Sequence, residues 1–159
     1  MMDLLSFFTW LDTSWLAELS KANGGVFAVV QMIHLLALTV LGGMVLVQDL
    51  RLFGLVLQNV ELRVMVGYTS RWFDAALATS VVSGIFMSSA VAMKLLYNEM
   101  FWAKMAALLV GAIFVYVIER PLLRRTGDDL RVVTCRLVGA SSLMIWFTVA
   151  AAGRWIGFS

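Results

Sequence analysis

The sequence predicts an all-α fold, an integral-membrane four-helix bundle preceded by an amphipathic interfacial segment. Three observations predict it. Hydrophobic residues make up 62% of the 159 residues and charged residues only 14%, whereas soluble domains carry about a quarter charged residues. Mean hydropathy is +0.91. The apolar residues fall into four long runs without sustained strand-like alternation, each long enough for a bilayer core of about 30 Å. A chain of this length is expected to form a single membrane domain over 1–159.

Residues 1–22 mix Leu4, Leu5, Phe7, Phe8, Leu11, Trp15, Leu16 and Leu19 with Asp3, Asp12 and Glu18. No basic stretch leads this segment, so it does not read as a secretory signal. One or two short interfacial helices are expected, with Trp10 and Trp15 at headgroup level and Asp12 or Thr13 capping the second. Asn23-Gly24-Gly25 then breaks the chain.

The first crossing is expected over about 24–48, its helix continuing through Asp49-Leu-Arg-Leu-Phe-Gly54, and the second over about 72–93. Tyr97-Asn98 makes a tight turn into the third, about 100–118, which Pro121 should end because proline lacks the donor a continuing helix needs. Thr126-Gly127-Asp128-Asp129 turns the chain into the fourth, about 134–156. Arg51, Arg63, Arg71, Arg120, Arg124, Arg125, Arg131 and Arg136 gather at one end, and Lys21, Lys94, Lys104 and Arg154 at the other. Positive residues favour the cytoplasm, so both termini are expected on the periplasmic side of a bacterial inner membrane. Small residues recur every four positions at Ser80, Gly84 and Ser88 and at Ala103, Ala107 and Gly111. Such stripes serve close helix contact, within one chain or between copies.

Several function classes drop out. A net charge of +2, with the basic residues in two loops, points to lipid headgroups and not to nucleic acid. One His and one Cys cannot build a four-ligand zinc site. Gly24-Gly25 and Gly42-Gly43 lack the spacing of phosphate-binding loops, and no nucleophile–base pair stands out. Cys135 reads as a packed structural thiol or, less simply, a reactive one beside Arg131 and Arg136.

What remains is His34, placed near mid-membrane by its position in the first run. An ionisable ring there needs a partner or a function. On a helical wheel Gln31 and Asp49 lie about 60° to one side of it and Gln48 about 40° to the other, forming one polar edge toward the cytoplasmic end. Gln31, one turn away, is expected to orient the imidazole. The ring then suits a haem b iron, with Met144 at similar depth as a second ligand, or a quinone headgroup. A hydrogen-bonded structural histidine is the plain alternative. Lys104 and Arg154 are expected to form an electropositive site above His34. Asp49, Arg51, Arg71, Asp74, Glu119 and Arg120 are expected to form an ion-pair network at the cytoplasmic boundary.

Taken in order, Ser14-Trp-Leu16, Gln31-x-x-His34, Asp49-Leu-Arg-Leu-Phe-Gly54, Ser83-Gly84, Asn98-x-x-Phe101-x-x-Lys104 and Ala152-Gly-Arg-Trp-Ile156 resemble a family of small uncharacterised bacterial four-helix membrane proteins. The resemblance implies the topology and points at His34, Lys104, Arg51 and Arg154, but implies no reaction. Its members show Glu at Gln31 and often a second His near Glu119; this chain departs at both. A looser likeness, of architecture only, is to cytochrome b561-type and copper-resistance membrane bundles. The leading expectation is a small membrane subunit of a respiratory or redox assembly, lying in the lipid bilayer with other membrane or periplasmic subunits or a second copy of itself. A small transporter or proton-linked channel using the polar edge is the first rival; a ligand-free scaffold subunit is the second.

Overall fold

Polar side chains set three of the helix starts in the computed structural model, which describes residues 2–158 without the side chains of Met2, Asp3 and Asp128; the expected role of Asp3 therefore lies outside the described residues. In chain order the helices are α1 (Met2–Asp12), α2 (Trp15–Ala22), α3 (Gly24–Leu52), α4 (Leu62–Ser89), α5 (Ala92–Leu96), α6 (Glu99–Ile113), a π-helical turn (Phe114–Glu119), α7 (Arg120–Thr126) and α8 (Val132–Trp155). Ser14, not Asp12 or Thr13, caps α2, its hydroxyl accepting from the Ala17 amide at 3.3 Å. Asp12 instead pairs with Lys21 at 2.9 Å. Asn23 caps α3 by accepting from the amides of Gly25 and Val26, and Asn98 caps α6 by accepting from Phe101 at 3.0 Å. Each side-chain oxygen satisfies amides that a helix start leaves without intrahelical partners.

Two boundaries differ from the sequence expectation. The second helix begins at Leu62, ten residues before position 72, because Leu62, Met65, Val66, Thr69 and Phe73 form one buried face at helical spacing. Leu62, Met65 and Val66 pack there with Leu52, Leu123 and Val138. Packing thus extends a helix whose exposed side mixes Arg63 and Arg71 with Val64, Tyr68 and Trp72. Pro121 does not end the third helix. It occupies the first turn of α7, directly after the π turn, where its missing N–H removes no necessary bond.

α3 packs along α4 and α8, and α8 along α6. Leu41, Val45, Phe73, Ala76, Val115, Trp146 and Val149 form the central core. Phe8 and Leu11 of α1 pack on Ala92 and Leu95, so the N-terminal segment covers one end of the helices. The outward surface between the ends is apolar, with Val29, Leu36, Val82, Leu109, Val117 and Phe147 all exposed. Exposed Trp10, Trp15, Tyr97 and Trp155 lie toward one end, and Tyr68, Trp72 and Tyr116 toward the other. Among the described residues three segments are long and apolar enough to cross a membrane: Gly24–Leu52, Glu99–Thr126 and Val132–Phe158. α4 falls short, diluted by Asp74, Thr79 and its serines. An apolar girdle with aromatic rims is the surface of a membrane protein.

Candidate functional site

Two separate polar regions lie on α3. The outer one is built on His34, ten residues from Gly24 and eighteen from Leu52, nearer the N-terminal end than the middle of its helix. Gly84 lets the ring approach α4: a Cβ added there would lie 3.4 Å from His34 Cε1. His34 Nδ1 is 2.8 Å from Ser83 Oγ, which is also 2.6 Å from the Thr79 carbonyl oxygen. A hydroxyl has one proton. We assign it to the shorter bond, to Thr79, so Ser83 Oγ accepts from Nδ1–H and the lone pair of the imidazole is on Nε2.

Of the other residues expected here, only Lys104 is brought in. Its charge acts on the His34 ring, and its side chain runs over Gly153, where an added Cβ would lie 3.5 Å from Cε. Gln31 is exposed, and Ser83 takes the orienting role expected of it. Arg154 is exposed, its guanidinium 4.4 Å over the Phe158 ring, so Lys104 and Arg154 do not converge on one site. Met144 is 66% exposed. It lies two residues from buried Ser142 and from buried Trp146, hence on the opposite face of α8 and away from any site it could share with His34 in the same chain.

The inner region joins α3, α4, the π turn and α8. Gln48 Nε2 donates to Glu119 Oε1 at 2.5 Å, and Thr69 Oγ1 donates to Gln48 Oε1 at 2.8 Å. The amide orientation of Gln48 follows from these partners. The π turn adds a residue to one helical turn, which turns both Glu119 and Arg120 inward, 1% and 8% exposed. Asp49 is fully buried, at 0% exposure. Neither of its carboxylate oxygens accepts a hydrogen bond at ordinary distance; the Ser142 hydroxyl faces it and the charge of Glu119 acts on it. Gly139 lets α8 close over this point, an added Cβ lying 3.5 Å from the Asp49 carbonyl oxygen.

The expected six-residue ion-pair network is therefore divided. Arg120 grips Asp74 with two bonds of 2.7 and 3.1 Å and stacks 4.5 Å from the Tyr116 ring centre. Tyr116 donates to the same carboxylate at 2.6 Å. Arg51 donates to the Val60 carbonyl at 3.1 Å, which ties down the loop after α3, and Arg71 is exposed. Asp49 and Glu119 have no direct ion-pair partner among the described residues. The reason is geometric: the Arg120 guanidinium spends its hydrogen bonds on Asp74 and the Ser70 carbonyl, and acts on Glu119 through its charge alone. Beside this cluster lies a cavity of about 10 Å³, whose polar lining is Gln48, Thr69, Ser70, Glu119, Arg120 and Ser142. That is room for about one water-sized guest.

Sequence reasoning missed Thr69, Ser70, Ser83 and Ser142. The available signal was weak: hydroxyl residues on the same α4 face as its apolar positions, and a Ser141-Ser142 pair inside the apolar run of α8.

The fold and these two regions define an all-α membrane protein that buries two carboxylates, Asp49 and Glu119, among its helices without a direct ion pair among the described residues. The chain belongs to the family of unknown function DUF6644, which spans residues 7–159. No curated protein and no solved structure matches it.

Proposed function

We propose that this chain is a small proton-linked transport component of a bacterial inner membrane, crossing it four times with both termini in the periplasm. Asp49 and Glu119 are its titrating pair. The observation that carries the reading is Asp49: a completely buried carboxylate that accepts no hydrogen bond at ordinary distance and is faced only by the Ser142 hydroxyl, beside a second buried carboxylate. Burying such a group charged and unpaired is costly, so it is either protonated or poised to take a proton. The fourth crossing follows from packing. α4 bonds α3 both at Thr69–Gln48 and at Ser83–His34, so a bilayer around α3 also surrounds α4. The arginine-rich end then faces the cytoplasm.

A carrier fits better than an open channel. About 21 Å of helix separates His34 from Gln48, and Leu41, Val45, Phe73 and Trp146 fill the interior beside it. The test is proton uptake by proteoliposomes under an imposed potential. Asp49→Asn and Glu119→Gln are each expected to reduce the rate about a hundredfold or more, in the range typical of a lost proton-transfer group. Unchanged uptake in both variants rules the reading out.

One observation favours a second reading, the redox subunit with haem or quinone at His34. With Nδ1 bonded to Ser83, Nε2 is the nitrogen an axial ligand would use. A Soret band in the purified protein that disappears in His34→Ala is its test. Met144 does not serve as the second ligand within one chain, so haem would need a second copy or another subunit.

A further inference from the structure

We propose that the cavity beside Gln48 holds a single water, which together with the Ser142 hydroxyl carries a proton between Glu119 and Asp49. The inference rests on the proton-linked reading and supplies the route that its titrating pair needs. The two carboxylates share no hydrogen bond. Glu119 Oε1 accepts from Gln48 Nε2 at 2.5 Å, and Asp49 accepts no bond at ordinary distance. A proton passes between groups in hydrogen-bond reach or joined by a water. A relay must therefore stand between the two.

Ser142 and the cavity occupy that position. Ser142 is 1% exposed; it lines the cavity and its hydroxyl faces Asp49. Glu119 lines the same cavity. The space, about 10 Å³, suits about one water. A buried water needs about two to four polar partners. Ser142 and Glu119 offer themselves, and so does Ser70, which is 5% exposed, lines the cavity and has a hydroxyl with no hydrogen-bond partner. Gln48 and Thr69 are already engaged with each other and with Glu119. The rest of the wall is apolar, with Phe73 and Val115 in it, and restricts the occupant to one small molecule. The Arg120 guanidinium on the lining repels a bare cation and accommodates a neutral dipole.

The transfer balances with O–H bonds alone. The Glu119 carboxyl gives its proton to the water oxygen. The water passes one of its own hydrogens to Ser142 Oγ, and Ser142 passes its hydroxyl proton to the Asp49 carboxylate. Water and serine end neutral, with their hydrogen bonds reversed, and no co-reactant is consumed. A hydroxyl can play both parts because it donates one proton and accepts on its lone pairs. Ser70 keeps the water in place by accepting its second hydrogen. Arg120 takes no step. Its guanidinium stays protonated, bonded to Asp74 and to the Ser70 carbonyl, and acts on Glu119 through its charge. Asp74, held by Arg120 and Tyr116, lies outside the route.

The experiment is the proteoliposome uptake assay on the full chain, joined to a high-resolution experimental structure. Ser142→Ala is expected to slow uptake about a hundredfold, as for a lost proton-transfer group, whereas Ser142→Thr, which keeps the hydroxyl, stays near the parent rate. The structure of the parent is expected to show one water in hydrogen-bond reach of Ser70 and Ser142. Circular dichroism checks that the variants remain folded. If either Ser142 variant does not, Ser70→Ala replaces the pair; it removes only the water's anchor and should slow uptake about fivefold, as for one lost hydrogen bond. Parent-like uptake in Ser142→Ala, or in Ser70→Ala where it stands in, overturns the proposal. So does equal slowing by folded Ser142→Ala and Ser142→Thr, or a dry cavity. If one of these results comes while Asp49→Asn and Glu119→Gln still slow uptake, the water route fails alone. If those two variants also run at the parent rate, the proton-linked reading fails with it.

Discussion

The two polar regions on α3 differ in what they leave unpaired: a hydroxyl at the outer one, a whole carboxylate at the inner one. The outer one is modest: a half-buried imidazole bonded to one serine that bonds one backbone carbonyl, with only the Ser80 hydroxyl beside them left unpaired. The inner one is deeper and incomplete, with Asp49 and Ser70 unpaired although both are buried. In a membrane protein a satisfied polar contact is worth little, about 0.6 kcal/mol on average, because polar groups find partners in the unfolded chain as well. A polar group left incomplete in the core is a stronger sign of function. The lone histidine draws the eye in the sequence, yet it is the better satisfied of the two.

The comparison can be broken first at the plug between the regions. Trp146 is 7% exposed and meets the Phe73 ring edge-on at 5.4 Å. Trp146→Ala is expected to lower stability by about 3–5 kcal/mol and to raise passive proton leak in proteoliposomes; a stable, tight variant would mean that the two regions are sealed from each other elsewhere.

Glu119→Ala comes next. It strands the Gln48 amide in the interior and should cost about 1–3 kcal/mol, read from denaturant-induced loss of helicity in detergent. Glu119→Gln keeps an acceptor for that amide, so its stability should stay close to the parent while uptake falls. Equal destabilisation by both would reduce Glu119 to a structural role.

At the outer region the effects shrink. Ser83→Ala removes the acceptor of His34 Nδ1–H and is expected to cost about 0.6 kcal/mol and at most about 1.7. If it instead abolished uptake while leaving stability intact, the ranking of the two regions would reverse. Gln31→Ala, at an exposed position, should stay within about ±0.5 kcal/mol; a larger loss, measured in the same unfolding assay, would mean that a partner surface covers Gln31.

Much of the architecture could be read from the residues because it depends on one-dimensional signals. Asn23 and Asn98 stand at helix starts whose apolar runs follow directly, and Gly127, at φ +58, marks the turn into α8. Arg63 crowds that glycine so closely that an added Cβ would lie 2.7 Å from its Nε. The continuation past Pro121 could not be read, because proline is a helix breaker by rule and only the preceding π turn makes it harmless. Nor could the start of α4, since its first turns, interrupted by Arg63 and Arg71, become helical by packing against α3 and α7.

The sites divide in the same way. Pattern alone marked His34 as unusual, because ionisable groups inside apolar runs are rare, and placed Asp49 and Glu119 in an ion-pair network at the boundary. Their partners were a matter of three dimensions. Gln31 and Ser83 are both plausible neighbours of His34 by spacing and chemistry, and only the crossing of α3 over Gly84 selects the serine. Asp74, Asp49 and Glu119 could each have claimed Arg120, and the π turn hands it to Asp74.

Composition and period by themselves determined that this chain is helical and lives in a membrane, because burial in lipid demands long apolar runs with internally bonded backbone. Which polar groups meet, and which are left wanting, was decided only by the tertiary structure: hydrogen bonds act over about 3 Å, and one helical residue of rotation, about 100°, moves a side chain from one neighbour to another.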